Sequence, residues 1–323
     1  MVAIDPFIRD AIVFASLLSV LSLGLTLTYL VTKVPNFAHG SMATIGIYVT
    51  LTATELWRVN PYLSLPLSFL LGGGASLLLY FGAIRPLIVR GAGIVALMVS
   101  TIAYELILIS TLNIYADYLN RTYFIQTRDF LLRKYDIRLL ASPGFEGLPG
   151  VFIVSPVLVV ALVVSLYIFL TRTRFGVAMR AAIENEALAG VLGINVKRVY
   201  IVSWLLAGGL AGVAGGLLGL WFQANPIFGS SQLVSIFAAS IVGGLTNIYG
   251  GVLGGILVGL TQKMGIDWLR RQLGSWVLAY EPLIPLLAMV ATLLVLPRGL
   301  TGVDWRWKLA RLLGAQPRVK AVG

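Results

Sequence analysis

His39 is the one histidine of the chain, and it lies in a short polar run, Asn36-Phe37-Ala38-His39-Gly40-Ser41. An imidazole serves as a general acid, a general base or a metal ligand. A zinc site needs several such ligands, and no cysteine or acid-rich spacing accompanies His39. With Ser41 it would supply half of a hydrolytic pair, but nothing nearby marks an orienting acid or an oxyanion hole. Two other roles remain for Asn36, His39, Gly40 and Ser41. They hydrogen-bond a helix end, or they line the path of a solute. A helix broken at membrane depth is compatible with both. Glu105 is the one carboxylate placed well inside an apolar run, with Ser100 and Tyr104 as polar neighbours. Ionised groups at such depth are costly and face protein or water. Glu105 therefore lines a solute path or makes an interhelical hydrogen bond, and a proton-coupled carrier would use such a residue. A third cluster, Gly243-Gly244 with Asn247 and Gly250, marks a helix break near a solute. No Gly-x-x-x-x-Gly-Lys-Ser/Thr loop occurs, so the usual nucleotide-binding loop is missing.

The elements that hold these residues are set by composition. Of 323 residues, 58% are hydrophobic and 11% are charged, against about a quarter charged in a soluble domain. The fold class is an all-α integral membrane protein, a polytopic bundle of about eight or nine transmembrane helices, some broken or re-entrant. A β-barrel would alternate apolar and polar residues, and these runs do not. The candidate segments are Ala11–Thr32, Gly40–Trp57, Leu63–Ile84, Ile94–Tyr115, Val151–Thr171, Val199–Phe222, Gln232–Asn247, Tyr249–Ile266 and Pro282–Arg298. The seventh and eighth are short and rich in glycine. Gly208, Gly212 and Gly216, and likewise Gly251, Gly255 and Gly259, repeat every four residues and read as close-packing rows. Residues 1–323 form one transmembrane domain. The first apolar run lacks a basic leader and a cleavage site, so it is read as a retained span.

Basic residues orient the chain. With the C-terminus in the cytoplasm, Lys33, Arg85, Arg90, Arg172, Arg174, Arg180, Lys197, Arg198 and Arg298 lie inside with the tail from 299 to 323. Arg9, Arg58, Arg121, Arg128, Arg133, Lys134, Arg138, Lys263, Arg270 and Arg271 then lie outside. The net charge of +11 reads as anchoring charge and attraction to anionic lipid, not as a nucleic-acid surface. Residues 117–150 read as an extracellular loop. Its Phe130–Tyr135 stretch is either a helix on the membrane surface or part of a solvated connector.

Residues 172–198 read as a cytoplasmic loop with basic pairs at both ends. Ala178–Ala189 is a strong helix former, and Ala182, Glu186, Ala189 and Leu192 would share one face. Gly190 and Gly193 offer helix stops. A short helix with small side chains, held between two spans, suits docking of another protein; an ordinary inter-span loop has the same composition. Arg180, Ala181, Glu184, Glu186, Ala189, Gly190 and Gly193 are the coupling candidates.

This loop resembles the cytoplasmic coupling loop of permeases in the branched-chain amino acid (LIV-type) group of ABC importers. Phe175-Gly176, Arg180-Ala181, Glu186, Ala189, Leu192-Gly193-Ile194-Asn195 and Arg198-Val199 carry the match. Val34–Gly40 with Gly46-Ile47-Tyr48 resembles the Asn-Phe-Ala-His-Gly signature of one of the two paired permeases. Ile241–Leu245 with Tyr249-Gly250-Gly251 and Gly254-Gly255, and the ending Pro297–Gly302, agree in family order. Pro35 departs from the aliphatic residue usual there, and the outer loop is longer than in the family, which bears on contacts with an extracellular binding protein. The resemblance implies a second homologous permease, two cytoplasmic ATP-binding subunits and an extracellular solute-binding protein as partners in the cytoplasmic membrane. It implies no cofactor on this chain, with ATP used in trans. The substrate class implied is leucine, isoleucine, valine or a related small zwitterion; relatives carry urea and short amides. The rival readings are a stand-alone secondary carrier using Glu105 and a membrane enzyme using His39.

Overall fold

A computed structural model describes residues 5–139, 147–245, 247–297 and 299–302. Helix α1 (Pro6–Thr32) begins where the Asp5 carboxylate accepts the Phe7 amide at 3.0 Å, with proline in the first turn. Its 27 residues span about 40 Å at 1.5 Å per residue. Buried along most of its length, it forms the axis of the molecule. Helix α2 (His39–Glu55) follows a six-residue return. Helix α3 (Leu65–Leu79) passes through a π-helical stretch, Tyr80–Ile84, into α4 (Arg85–Val89). Helix α5 is Ile94–Tyr123 and α6 is Gly150–Arg172. Two short helices, α7 (Arg174–Glu184) and α8 (Glu186–Val191), lead to α9 (Val196–Trp221). Then come α10 (Phe228–Ser231), α11 (Leu233–Gly243), α12 (Ile248–Leu273) and α13 (Leu283–Val295).

Around α1 pack α12, α9, α11 and α6, while α2 and α3 lie on α9. Glycine rows allow these approaches: Gly212 meets Gly46 and Gly72, and Gly255 and Gly259 lie on the α1 backbone at Ser19 and Ala15. Helices α5, α6 and α13 are peripheral and expose Leu106, Ile107, Val157, Val160, Leu287 and Leu294. Among the described residues, six helical stretches are long and apolar enough to cross a membrane. Helices α2, α10, α11 and α12 lie in the same bundle, and the glycines and Gln262-Lys263 of α12 dilute its apolar content. The chain is an all-α, multi-pass membrane protein.

The passes repeat. Helix α1 ends at Thr32 and α9 at Trp221; α2 begins at His39 and α10 at Phe228; α5 begins at Ile94 and α13 at Leu283. Each pair is separated by the same 189 residues that separate the hydrogen-bonded Ser41 and Ser230. The two units run in opposite directions, because the indole of Trp221, at the end of α9, donates to Asp10 near the start of α1 at 2.7 Å. Such inverted repeats are a recurrent plan of membrane transporters.

Several expectations need correction. The segment 117–150 is not loop throughout. Polarity does not stop a helix, and α5 runs on to Tyr123, ending where Phe124 turns left-handed and donates its amide to Asn120. The Phe130–Tyr135 stretch is not a surface helix but a connector, with Leu131, Arg133 and Lys134 exposed and Phe130 and Leu132 buried. Only Arg133–Tyr135 makes a 3-10 turn. Phe130 and Ala224 exchange backbone hydrogen bonds of 3.1 and 2.9 Å, and the Arg133 guanidinium lies 4.1 Å from the Trp221 ring centre. A two-residue hairpin, β1 (Arg138–Leu139) with β2 (Leu148–Pro149), closes the loop before α6. There Asp136 accepts from Tyr62 at 2.6 Å and from the Val151 amide at 3.2 Å, while burial pushes its carboxyl above the ordinary carboxylate range. The single helix expected over Ala178–Ala189 is broken at Asn185. The tail expected from 299 to 323 is described to Gly302; residues 303–323, Arg298 and residues 140–146 lie outside the described residues.

Candidate functional site

The two repeats meet inside the bundle at Gly40 and Gly229. Helix α2 starts from one side and α10 from the other, and their first turns cross. A methyl group built on Gly40 would overlap the Gly229 carbonyl, and one built on Gly229 would overlap the Gly40 carbonyl. The entry into each helix is built alike. The Asn36 side-chain oxygen accepts the Ala38 amide at 3.1 Å, and the Asn225 side-chain oxygen accepts the Ile227 amide at 3.2 Å. Asparagine satisfies its own turn in this way, and at the fully buried Asn36 this lets the chain reverse without water. Past the crossing, the Ser41 and Ser230 hydroxyls lie 3.2 Å apart. Thr44 accepts the Gly229 amide at 3.0 Å.

His39 is fully buried beside this crossing and donates from Nε2 to the Leu21 carbonyl at 2.9 Å. The bond ties the start of α2 to the middle of α1. The structure brings Asn36, His39, Gly40 and Ser41 together as a packed joint. Glu105 reaches the same joint from α5. Its buried stripe, Leu97, Thr101, Glu105, Leu108 and Leu112, faces inwards, and Ser230 donates to Glu105 Oε1. The Ser41 hydroxyl and amide lie beside the same carboxyl. Glu105 is 8% exposed, and among the described residues its Oε2 has no hydrogen-bond partner. Glu105 is a buried acid set where two helices begin, with two hydroxyls beside it.

Gly243, Gly244 and Asn247 form a separate joint. Helix α11 stops at Gly243, Gly244 takes φ of 106°, and Asn247 caps α12 by accepting the Tyr249 amide at 3.0 Å. The turn after α13 packs here, with the Thr301 hydroxyl donating to the Gly243 carbonyl at 2.8 Å. This joint lies at the Lys33 end of the bundle, where its Asn247 lines a cavity with Lys33 and Arg180. It is not part of the Glu105 joint.

The segment 172–198 forms an elbow. Thr173 caps α7 through the Gly176 amide at 2.9 Å, Asn185 caps α8 through the Leu188 amide at 3.0 Å, and Asn195 caps α9 through the Arg198 amide at 3.2 Å. Asn185 is extended, with φ −151° and ψ 101°, and this splits the expected common face. Ala182 and Ala189 turn inwards, whereas Glu186 and Leu192 turn outwards. Arg180 and Glu184 sit on the cavity side of α7. Gly190 lies on the outer part of α8, and Gly193 turns with φ of 81°. Leu188, Val191 and Leu192 are 56%, 85% and 70% exposed, an apolar knob beyond the spans.

Reading the sequence singled out Ser41 and Glu105 but missed their partner Ser230, along with Asn225, Gly229 and the Leu188–Leu192 knob. The signal for the first three was present: Asn36-x-x-x-Gly40-Ser41 recurs as Asn225-x-x-x-Gly229-Ser230. The knob was hidden because one continuous helix placed Leu192 on a face with Ala182 and Ala189, and the break at Asn185 leaves Leu192 exposed while both alanines are buried.

A family model described as the permease component of the branched-chain amino acid transport system matches residues 7–293. The chain is 43% identical over 306 residues to the probable branched-chain amino acid transport permease protein LivH of Methanocaldococcus jannaschii, covering 95% of each chain. It is 26% identical over 303 residues to the high-affinity branched-chain amino acid transport system permease protein BraD of Pseudomonas aeruginosa, covering 91% of this chain and 94% of that one. A shorter stretch of 143 residues is 30% identical to the ribose import permease protein RbsC of Bacillus subtilis, covering 42% of this chain and 43% of that one. No solved structure matches the chain. A polytopic bundle with paired helix breaks at its centre and a helical elbow between two spans, matched along nearly all its length, belongs to the family of permease components of branched-chain amino acid transport systems.

Proposed function

We propose that this chain is the membrane-spanning subunit of an ATP-driven importer in the cytoplasmic membrane, carrying leucine, isoleucine, valine or a related small zwitterion inwards. It works with a second homologous permease, two cytoplasmic ATP-binding subunits and an extracellular solute-binding protein. It binds no cofactor itself, and ATP is hydrolysed in trans. The observation that carries this reading is the α7–α8 elbow. Apolar side chains as exposed as Val191, beyond the ends of the spans, need a protein partner to cover them. The elbow joins α6 directly to α9, so a push on α8 reaches the peripheral and the central parts of the bundle together. Glu105, Ser41 and Ser230 are the polar groups placed to meet a solute when the crossing opens, and Asn36, His39 and Gly40 hold its frame. Gly243, Gly244 and Asn247 form the exit-side joint.

The test is uptake of radiolabelled leucine and urea into vesicles holding this chain alone or with its partners. Uptake of leucine that needs ATP and the partners is the expected result. Urea uptake under the same conditions would change the substrate. Uptake by the chain alone, driven by an ion gradient, would overturn the importer in favour of a carrier.

A further inference from the structure

At the Lys33 end of the bundle lies a cavity of 560 Å³, between the end of α1, the end of α6, the inner face of α7 and the start of α12. Its walls are apolar, from Leu30, Leu170, Ile183 and Ile248, and Tyr167 and Tyr249 stand at its sides. Two cations face it, Lys33 and Arg180. Among the described residues neither makes an ion pair. Lys33 holds a left-handed backbone, φ 55°, at the end of α1, where glycine or asparagine is the easier choice. Glu184 is on the same rim, so the cavity holds two positive groups and one negative.

A cavity with apolar walls and a cationic mouth fits an amphiphilic anion. Its place decides which one. Leu170 and Thr171 are in the last turn of α6, a pass with an exposed apolar face, and Tyr167 in the wall is itself 55% exposed. The mouth therefore stands at the level of lipid headgroups, and the walls continue to the level of acyl chains. We infer that this cavity seats an anionic phospholipid, with Lys33 and Arg180 binding its phosphate and Leu170 and Ile248 lying along its first methylenes. A soluble phosphate would use the same cations but leave the apolar walls wet. A lipid held here would join the α7 half of the elbow to the ends of α1 and α12.

Native mass spectrometry of the purified full chain, released from mild detergent, reads retained lipid directly. It reads binding, not uptake, and so stands or falls apart from the importer reading. One phosphatidylglycerol should be retained in preference to phosphatidylcholine. Lys33→Gln and Arg180→Gln should each weaken retention about fivefold. Glu184→Gln should strengthen it, an opposite change that misfolding would not produce. Unfolding temperatures in phosphatidylcholine check that each variant is folded. Equal retention of both lipids, retention unaltered by the three substitutions, or no retention would overturn the proposal. Displacement by millimolar inorganic phosphate or glycerol phosphate would assign the cavity to a soluble phosphate instead.

Discussion

Where two helix starts cross with backbone against backbone, side-chain size is the controlling variable. Gly40 has no room for a methyl group against Gly229, whereas Gly74 on α3 has open space around it. Gly40→Ala should therefore destabilise the protein by about 1–3 kcal/mol, the range for overpacking in a rigid interior. Gly74→Ala should leave the unfolding temperature in detergent unchanged, and equal effects at both sites would show that the crossing is not tight. Glu105 poses a different question, of charge rather than volume. Glu105→Gln keeps an oxygen for the Ser230 hydroxyl and removes the charge, while Glu105→Leu leaves Ser41 and Ser230 without that partner. The leucine variant should lose about 1–3 kcal/mol from unsatisfied buried groups. The glutamine variant should fold normally yet lose most of its ATP-driven leucine uptake. Uptake at the parental rate would confine Glu105 to a packing role.

At the scale of the element, the elbow is set by three caps, Thr173, Asn185 and Asn195, each accepting an amide three residues on. They fix where α8 projects, and its exposed face is the surface offered to a partner. Replacing Leu188 and Val191 together by aspartate should abolish co-purification of the ATP-binding subunits without changing helicity. Glu186→Arg should have the same effect through charge. Retention of those subunits by both variants would remove the elbow from coupling. Much of this architecture was legible in the sequence. Runs of apolar residues about 20 long have no soluble alternative, so α6 and α9 were found within three residues at each end, and α1 and α5 at one end each. Helix ends outside the bilayer were not. The apolar run ends near Tyr115 but the helix ends at Tyr123, because hydropathy reports the solvent and not the hydrogen bonding. The break at Asn185 was missed for the opposite reason: helix formers flank it on both sides, and one side-chain hydrogen bond to Leu188 outweighs their propensity locally. His39 and Asn36 were recognisable as a polar notch, but its partner Asn225–Ser230 is distant in sequence and became visible only when the two notches were seen to touch.

For the whole molecule, the inverted repeat makes the crossing the natural pivot. The two units start from opposite faces and pack on each other along α1, α9 and α12, so access from either side requires the Gly40–Gly229 crossing to loosen while the packing of α1 on α12 and α9 persists. The 3.2 Å approach of the Ser41 and Ser230 hydroxyls offers a way to stop it. The chain has no cysteine, so Ser41→Cys with Ser230→Cys introduces one possible bridge and no competitor. In the assembled transporter, oxidation should close that bridge and abolish leucine uptake, and a reductant should restore it. ATP hydrolysis should persist at a reduced rate, since the elbow and its partners remain in place. Either single variant should transport under oxidising conditions, which separates the bridge from the substitutions themselves. If the bridge forms, as shown by mass, and uptake continues, the joint between the repeats stays shut throughout transport. The solute must then pass elsewhere, along the peripheral faces of α5 and α13, where a second permease would supply the other wall.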